Sequence, residues 1–445
     1  MTDATSPTDP PTTLDPASIV RSKAYLSALV LAALIGIPIS VVAYGFLALA
    51  GWLQTYLFGD LPSGLFDGTT PAWWPVPWLA LSGLLVALTI SRLPGTAGHP
   101  PSLGFQTGTG PAAGRDLPGI LVAALATLGL GAVLGPEAPL IAIGGGLAAL
   151  TVRLVKRDAP PMAVTIMASA GSFAAVSTLL GSPLLGAFLI MEAAGIAGAT
   201  LSLVALPGLL ASGIGALVFV GMDAWTGLGT FSLALPIVPP GATPTISSLL
   251  WAIPVGILGA VLGWAIRWVG LSVRPYVHRN RVPVTVALGV LIGLCATMFQ
   301  VTTGHSFTQV LFSGQDALPE LVADAAGYSL GVLLLLGLFK GIAYGLSLSA
   351  FRGGPVFPAM FIGAVLGITV SGLTGMELAA AIGTGIGATC CAMLRLPLTS
   401  VLLATLLMGT DGLLITPQVV VAVVVSFVVT AVLPTPGPSL SAEAD

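Results

Sequence analysis

Long apolar stretches, repeatedly interrupted by glycine and proline, constrain this chain of 445 residues most strongly. Several of them reach the roughly 20 residues that an α-helix needs to cross a bilayer. Only 7% of the residues are charged, whereas soluble domains carry about 25%. Broken helices are tolerated at membrane depth only where they are buried in protein or line a watery cavity. The pattern therefore predicts an all-α polytopic membrane protein, a transporter or channel, and excludes a soluble globular fold.

The order of the apolar stretches predicts two transmembrane halves, 21–235 and 248–433, joined by a Pro- and Thr-rich connection at 236–247. Residues 1–20 are predicted to form a disordered cytoplasmic tail, and residues 434–445 a short C-terminal tail. The candidate membrane segments are 24–58, 74–93, 118–134, 137–154, 161–177, 183–195, 200–221, 248–272, 283–301, 319–338, 340–349, 356–373, 377–392, 397–409 and 416–433.

Basic residues give a first indication of orientation. Arg21 and Lys23 precede the first apolar stretch, which predicts a cytoplasmic N-terminus. The most basic stretch, from Arg267 to Arg281, is expected to mark a cytoplasmic connection between the two halves. No basic block is long enough to indicate a nucleic-acid partner. High usage of Ala, Gly and Pro suggests a prokaryotic chain, hence a prokaryotic plasma membrane.

One carboxylate, Glu137, stands between Pro136 and Pro139 in a stretch that is otherwise uncharged. An ionisable residue at membrane depth is costly, so it is by default a functional-site hypothesis. Pro136 suits the first turn of a helix, and a helix that begins inside the membrane points free N–H groups and its positive dipole end at whatever lies in front of it. This predicts an anion site that Glu137 could occupy as a gate. The alternative is a carboxylate that only caps its own helix.

An interrupted segment at 353–358 matches the one at 135–139, and both precede helices rich in small residues. Such segments in matching places of two halves indicate a midplane binding site at the repeat interface. Gly354 permits close approach, and the N–H groups of Val356 and Phe357 could coordinate an anion without any charged side chain. The alternative is that the glycines only relieve crowding.

Taken together, these motifs resemble the CLC family of chloride channels and proton/chloride antiporters. The family's Gly-Arg-Glu-Gly-Pro motif matches 135–139, and its Gly-Gly-x-Phe-x-Pro signature loosely matches 353–358. The family's helix after a Pro-Leu pair, ending in an acidic residue, matches 183–192, and its basic residue before the second signature matches Lys340. The likeness extends from about residue 25 to 433. It implies two inverted repeats of tilted and broken transmembrane helices, and a homodimer with one anion pathway per subunit.

The chain also departs from the family pattern. The family's inner Gly-Ser-Gly-Ile-Pro motif aligns around Ala97 and Gly98, so that Ala97 stands where a serine hydroxyl usually coordinates the central anion. The C-terminal tyrosine that gives a second hydroxyl is missing, with Leu440 as its nearest counterpart. The acid on the antiporters' internal proton path follows the residue matched by Glu192, and here that position is Ala193.

Four further residues are candidates for the pathway, each with an ordinary structural alternative. Glu192 could face a vestibule and pass protons, or make a structural hydrogen bond. Lys340 and Arg352 could raise the positive potential along an anion path, while a Lys340 that snorkels to the interface is equally open. His99 could donate to an anion or titrate near neutral pH. Most loop histidines have no such role.

The sequence therefore predicts transport of a small anion, most simply chloride, passive or proton-linked, with Glu137 as the outer gate. Ala97, Gly98, Ala138, Gly354, Val356 and Phe357 are the predicted anion-binding positions. Loss of the inner acid weighs against tight proton coupling. The alternatives are another small anion such as fluoride, or a membrane scaffold that does not transport.

The expected partners are the anion, protons, the lipid bilayer and a second copy of the chain. The histidines lack mutual ligand spacing, and no Ser/His/Asp or Cys/His arrangement stands out. We therefore expect no metal, no cofactor and no enzymatic activity.

Overall fold

The apolar stretches fold into a bundle of α-helices. The computed structural model describes residues 21–104, 110–195, 199–233, 235, 240–241 and 243–435. The predicted tail at 1–20, residues 436–445 with Leu440, and residues 236–239 and 242 of the predicted connection lie outside the described residues. The helices are α1 Lys23–Thr55, α2 Leu61–Leu65, α3 Pro75–Arg92, α4 Leu117–Gly129, α5 Glu137–Val155, α6 Pro161–Ala175, α7 Pro183–Ala193, α8 Ala199–Thr226, α9 Ile246–Arg279, α10 Arg281–Thr303, α11 Ala317–Ala323, α12 Leu330–Ala350, α13 Val356–Thr374, α14 Leu378–Leu394, α15 Pro397–Leu407 and α16 Gly412–Val432. Within these ranges, nine helical segments are long and apolar enough to cross a membrane. The prediction of an all-α polytopic membrane protein is confirmed.

Local sequence signals set several helix ends. Thr245 and Ser248 form a capping box at the start of α9. The Ser329 side chain accepts a hydrogen bond from the Val332 N–H at the start of α12. Gly304 and Gly375 end α10 and α13 in the left-handed conformation that glycine adopts without strain.

The two halves repeat one packing pattern. In the first, α1 packs against α6 and α8, and α5 packs against α6. In the second, α9 packs against α14 and α16, and α13 packs against α14. A short helix that begins with proline, α7 or α15, packs against the last long helix of each half. The helices thus recur in the same order with the same neighbours.

Close glycine contacts fix the same helix crossing in each half. Gly144 of α5 lies against Gly171 of α6, and Gly363 of α13 lies against Gly385 of α14. A Cβ added to any of these four would collide with the partner's carbonyl oxygen. Small residues let membrane helices approach this closely. Gly144 and Gly363 each lie seven residues after the first residue of their helix, so the register repeats as well.

The halves meet at an antiparallel bridge between Gly135 and Gly354. The Gly135 N–H donates to the Gly354 carbonyl oxygen at 2.7 Å, and the Gly354 N–H donates to the Gly135 carbonyl oxygen at 2.6 Å. Two equivalent residues that exchange both hydrogen bonds are related by a local two-fold axis. The halves are therefore inverted repeats, and α5 and α13 begin side by side at that axis.

A second reciprocal pair of hydrogen bonds flanks the bridge. The Val133 N–H donates to Ser347 Oγ of the other half at 3.0 Å. The Arg352 N–H donates to Thr127 Oγ1 at 3.2 Å. Each hydroxyl in turn donates to a carbonyl one turn earlier in its own helix, at 2.8 Å. Buried N–H groups next to the bridge thus find acceptors across the interface between the halves.

The predicted membrane segments 319–338 and 340–349 have the wrong boundaries. The structure has the short α11, Ala317–Ala323, and then one continuous helix, α12, Leu330–Ala350. The predicted boundary fell at residue 339. Lys340, the next residue, lies inside α12 with its side chain fully buried, and the helix continues through both residues.

The basic stretch does not join the two halves. Arg267 lies within α9, and Arg281 is the first residue of α10. Asn280, with φ −139° and ψ 71°, leaves the helical region and turns the chain between them. The stretch is therefore a tight connection between two helices of the second half.

Candidate functional site

The carboxylate of Glu137 lies at the start of a helix in the opposite half. Glu137 is the first residue of α5 and is completely buried. Its Oε1 accepts a hydrogen bond from the Phe357 N–H, at the N-terminus of α13, at 2.9 Å. Its Oε2 is buried without a hydrogen-bond partner among the described residues. The side chain thus places its carboxyl group at the positive end of α13.

Two glycines make room for this carboxylate. A Cβ added at Gly135 would collide with the carboxyl group of Glu137, and so would one added at Gly354. At Gly135 the three nearest atoms all belong to that carboxyl group. The bridge between the halves therefore also forms two walls of the Glu137 pocket.

The N-terminus of α13 is held rigidly behind the carboxylate. Val356 and Phe357 are buried, and Pro355 precedes them as the N-cap. The Tyr344 hydroxyl, on α12, donates to the Pro355 carbonyl oxygen at 2.7 Å. Of the predicted anion-binding positions, Gly354 and Phe357 therefore contact Glu137, and Val356 lies between them in the chain.

A cavity of about 510 Å³ lies beside this pocket. The predicted residues Ala97, Gly98, His99 and Ala138 all line it. Ala138 immediately follows Glu137, so the cavity reaches the start of α5. Arg352, Gly353 and Pro355, ahead of α13, form another part of its wall.

The loop from Gly95 to Gly98 in the cavity wall has an unusual backbone. All four residues have positive φ: 79° at Gly95, 51° at Thr96, 57° at Ala97 and 88° at Gly98. For residues other than glycine this conformation costs about 1–3 kcal/mol each and persists only where the surroundings enforce it. Here the Arg352 guanidinium holds the loop, because Nε and Nη2 donate to the Thr96 carbonyl oxygen at 3.3 and 3.2 Å.

Arg352 is the functional candidate that the predicted set of binding positions left out. It is 7% exposed and lines the cavity. Its Nη1 donates to the Phe351 carbonyl oxygen at 3.2 Å. No carboxylate lies within 4.0 Å of it in the described part of the chain, where the one ion pair is Arg115–Asp116. The signal in the sequence was an arginine directly before Gly353-Gly354.

Asp116 and His99 also contribute ionisable side chains to the cavity wall. Asp116 lies 3.6 Å from the exposed Arg115. Across the described residues, no group of three or more His, Cys, Asp or Glu side chains is placed to hold a metal ion.

Lys340 is not among the residues that line the cavity. Its Nζ donates to the carbonyl oxygens of Gln309, Val310 and Leu311 at 2.9, 3.2 and 3.0 Å. It also lies 4.4 Å from the centre of the Phe361 ring, a cation–π distance. The ammonium group is fully buried and does not snorkel to an interface. In this geometry it fastens the loop before α11 to α12.

Glu192 caps a helix of the other half. Its Oε2 accepts hydrogen bonds from the Thr399 N–H at 2.7 Å and from Thr399 Oγ1 at 2.6 Å. Its Oε1 accepts from the Leu398 N–H at 3.0 Å. A carboxylate at the start of α15 satisfies free N–H groups and complements the helix dipole. Glu192 is not among the residues that line the cavity.

Comparison with known proteins identifies the family. The model of the voltage gated chloride channel family matches residues 82–431. The YfeO protein of Escherichia fergusonii, which carries a provisional name as an ion-transport protein, is 30% identical over 338 residues, covering 75% of this chain and 76% of its own length. The YfeO protein of Escherichia coli K12 matches over the same length with the same identity.

Solved structures share the fold. A slow cyanobacterial Cl⁻/H⁺ antiporter superposes with a TM-score of 0.72 at 23% identity, covering 92% of this chain and 95% of its own. A CLC-type fluoride/proton antiporter gives 0.68 at 17% identity, covering 92% and 96%. The inverted halves and the carboxylate between them agree with the match to the family model. Because that match covers residues 82–431, the chain belongs to the voltage gated chloride channel (CLC) family.

Proposed function

We propose that this protein carries a small anion, most simply chloride, across the membrane and that Glu137 is the gate of the pathway. The observation that supports the gate is the hydrogen bond from the Phe357 N–H to the fully buried Glu137 carboxylate. A helix N-terminus is an anion-binding site, and here the side chain occupies it. When the side chain swings out, the Phe357 N–H becomes available to a mobile anion.

The cavity supplies one approach to this position. It reaches Ala138 on one side and Pro355 on the other, the residues next to Glu137 and Val356. Backbone N–H groups bind an anion more weakly than a charged lysine or arginine side chain would, because they carry only partial charge. A permeation site must release as well as bind, so the weaker field suits transport.

Protons are the second proposed substrate. A carboxylate at the anion position can leave it by taking up a proton, which would link anion and proton movement. The similarity to a Cl⁻/H⁺ antiporter and a fluoride/proton antiporter supports this link. Ala193 stands where the family's antiporters have the inner acid, so a purely passive anion pathway is the alternative.

Fluoride is the second candidate anion, since Ala97 brings no hydroxyl to the cavity.

We propose the oligomeric state, the membrane and the orientation of the protein from its family, its relatives and its basic residues. Family membership supports a transporter rather than an enzyme, and the resemblance supports a homodimer with one pathway per subunit. The bacterial relatives support a prokaryotic plasma membrane. Arg21 and Lys23, ahead of α1, support a cytoplasmic N-terminus.

The test is anion efflux from liposomes that contain the purified protein, for chloride, fluoride and nitrate, with internal pH recorded in the same run. Glu137→Ala should change chloride efflux or its dependence on pH. Glu320→Gln removes an exposed acid on α11 and is the matched control, with efflux unchanged. Proton movement that stops in Glu137→Ala would indicate antiport. The proposal fails if none of these anions moves through the wild type or the variant.

A further inference from the structure

We propose that Arg352 forms a binding site in the cavity for a planar oxyanion with two acceptor oxygens, such as a small carboxylate. This inference rests on the proposed anion pathway. It states that the part of the pathway inside the cavity binds a different kind of anion from a halide. The site is built by the Arg352 guanidinium and the cavity wall around Ala97 and Gly98.

The hydrogen bonds of Arg352 leave two donors unused. A guanidinium has five N–H groups. Nε and Nη2 share the Thr96 carbonyl oxygen, and Nη1 donates to the Phe351 carbonyl oxygen. One N–H on each terminal nitrogen then remains, with no acceptor among the described residues. The two terminal nitrogens of a guanidinium each direct one N–H outward along the same edge, the arrangement that a carboxylate accepts as two parallel hydrogen bonds.

No carboxylate among the described residues lies within 4.0 Å of Arg352 to balance its charge. The side chain is 7% exposed, and a buried charge is costly unless it is paired. Asp116 lines the same cavity, but its ion pair is with Arg115, and it does not come within 4.0 Å of Arg352. Support of the Thr96 loop explains the two bonds to the Thr96 carbonyl oxygen. It explains neither the positive charge nor the two remaining N–H groups.

The cavity has room for a polyatomic ion. Its volume is about 510 Å³, whereas one water molecule takes up about 30 Å³ of liquid. Ala97 and Gly98, next to Thr96, offer no hydroxyl, and the wall residues Thr165, Ser169 and Ser172 that do carry one lie on α6. The rigid fork of arginine selects planar acceptors more strongly than a point charge does. Together these features favour an oxyanion over chloride at this position.

The first test uses the wild-type, full-length protein. An arginine-selective dicarbonyl reagent is applied with formate or with chloride, and modification of Arg352 is followed by peptide mass spectrometry. Formate at ten times its Kd should slow modification of Arg352 about tenfold, from the occupancy of a single site. Equal chloride should slow it far less. Arg157, which is exposed in the connection between α5 and α6, is the control and should react equally in all conditions.

The second test is Arg352→Lys, which keeps the charge and loses the fork. Formate binding, measured calorimetrically, should weaken about tenfold or more, the scale of one lost charge-assisted hydrogen bond. Chloride binding should change much less. The proposal is overturned if formate does not protect Arg352, if chloride protects it equally, or if the lysine variant binds formate as tightly as the wild type.

These outcomes separate this site from the proposed transport function. Chloride efflux that depends on Glu137, together with an unprotected Arg352, would remove the oxyanion site and leave the transporter. Protection of Arg352 by formate without efflux of any anion would leave the site and remove the transport function.

Discussion

The starts of α5 and α13 have nearly the same backbone but different chemistry. Both follow a Gly-Pro pair, Gly135-Pro136 and Gly354-Pro355. The prolines have φ −83° and ψ −4° in one case and φ −92° and ψ −3° in the other. The glycines hydrogen-bond to each other across the local two-fold axis. The scaffold at the centre of the protein is therefore close to symmetric.

The charges break that symmetry. Two residues after the bridging glycine, the first half has Glu137 and the second has Val356. Two residues before it, the first half has Val133 and the second has Arg352. Each half thus contributes one charge, and the uncharged counterpart of each is a buried valine. The comparison shows that the duplicated scaffold sets the positions, while single substitutions within it determine the chemistry.

The largest expected effect tests whether the bridge and the carboxylate depend on each other. Gly135→Ala should lower the free energy of unfolding by about 1–3 kcal/mol, the cost of overpacking. In a Glu137→Ala background most of that loss should disappear, because the three atoms nearest the added Cβ all belong to the Glu137 carboxyl group. The measurement is the free energy of unfolding of all four proteins in detergent.

The matched control for that cycle is Gly213→Ala. Gly213 lies in α8, and nothing is within 4 Å of an added Cβ there. This change should leave stability unchanged or raise it slightly. An equal loss from Gly135→Ala with and without Glu137 would contradict the predicted contact.

The next effect tests the symmetry of the flanking bonds. Thr127→Val and Ser347→Ala each leave one buried N–H of the opposite half without its acceptor, at Arg352 and Val133. Each variant should lose about 1–3 kcal/mol, the cost of an unsatisfied buried group. Thermal unfolding of the two variants side by side measures the loss. If only one of the two lost stability, the two sides of the axis would not be energetically equivalent.

A smaller effect distinguishes the starts of α7 and α15. Helix α7 is capped locally, since Ser182 Oγ accepts from the Leu184 N–H at 3.3 Å. Helix α15 is capped by Glu192 from the other half. Glu192→Ala should cost about 0.5–2 kcal/mol, the scale for loss of a cap. Ser182→Ala should cost less, because it removes one longer bond between neutral groups.

The same variants test a role for Glu192 in proton movement. If Glu192 only caps α15, proton and anion flux through Glu192→Ala should follow the amount of folded protein. If flux fell further than the folded fraction, Glu192 would have a role in transport beyond capping α15.

The fold followed largely from local signals in the sequence. Glycine, proline and apolar length predicted most helices, including the paired starts at Glu137 and Val356. Local signals failed next to Lys340, where a predicted boundary falls inside one helix and the lysine is held by three carbonyl oxygens far from it in the chain. They also failed at Asn280, where a single turning residue makes a basic stretch part of two helices rather than a link between the halves.

The site was less predictable, because its contacts cross between the halves. The matching segments in the sequence placed Glu137 and Phe357 at the same interface, but not in contact. Their hydrogen bond depends on the axis through Gly135 and Gly354, which brings together residues 220 positions apart. The roles of Arg352 and Glu192 depend in the same way on partners far away in the chain, at Thr96 and Thr399. A single sequence does not show which side chain reaches which backbone group in such pairs.

The most direct test of the central claim, that the Glu137 carboxylate occupies an anion site at the start of α13, is a pair of crystal structures grown in bromide. One is of the wild type and one of Glu137→Ala, with bromide located by its anomalous scattering. We predict bromide at hydrogen-bonding distance from the Phe357 N–H in Glu137→Ala and not in the wild type with its carboxylate in place. No bromide at that N–H in the variant, or bromide there in the wild type beside an unmoved Glu137, would contradict the account.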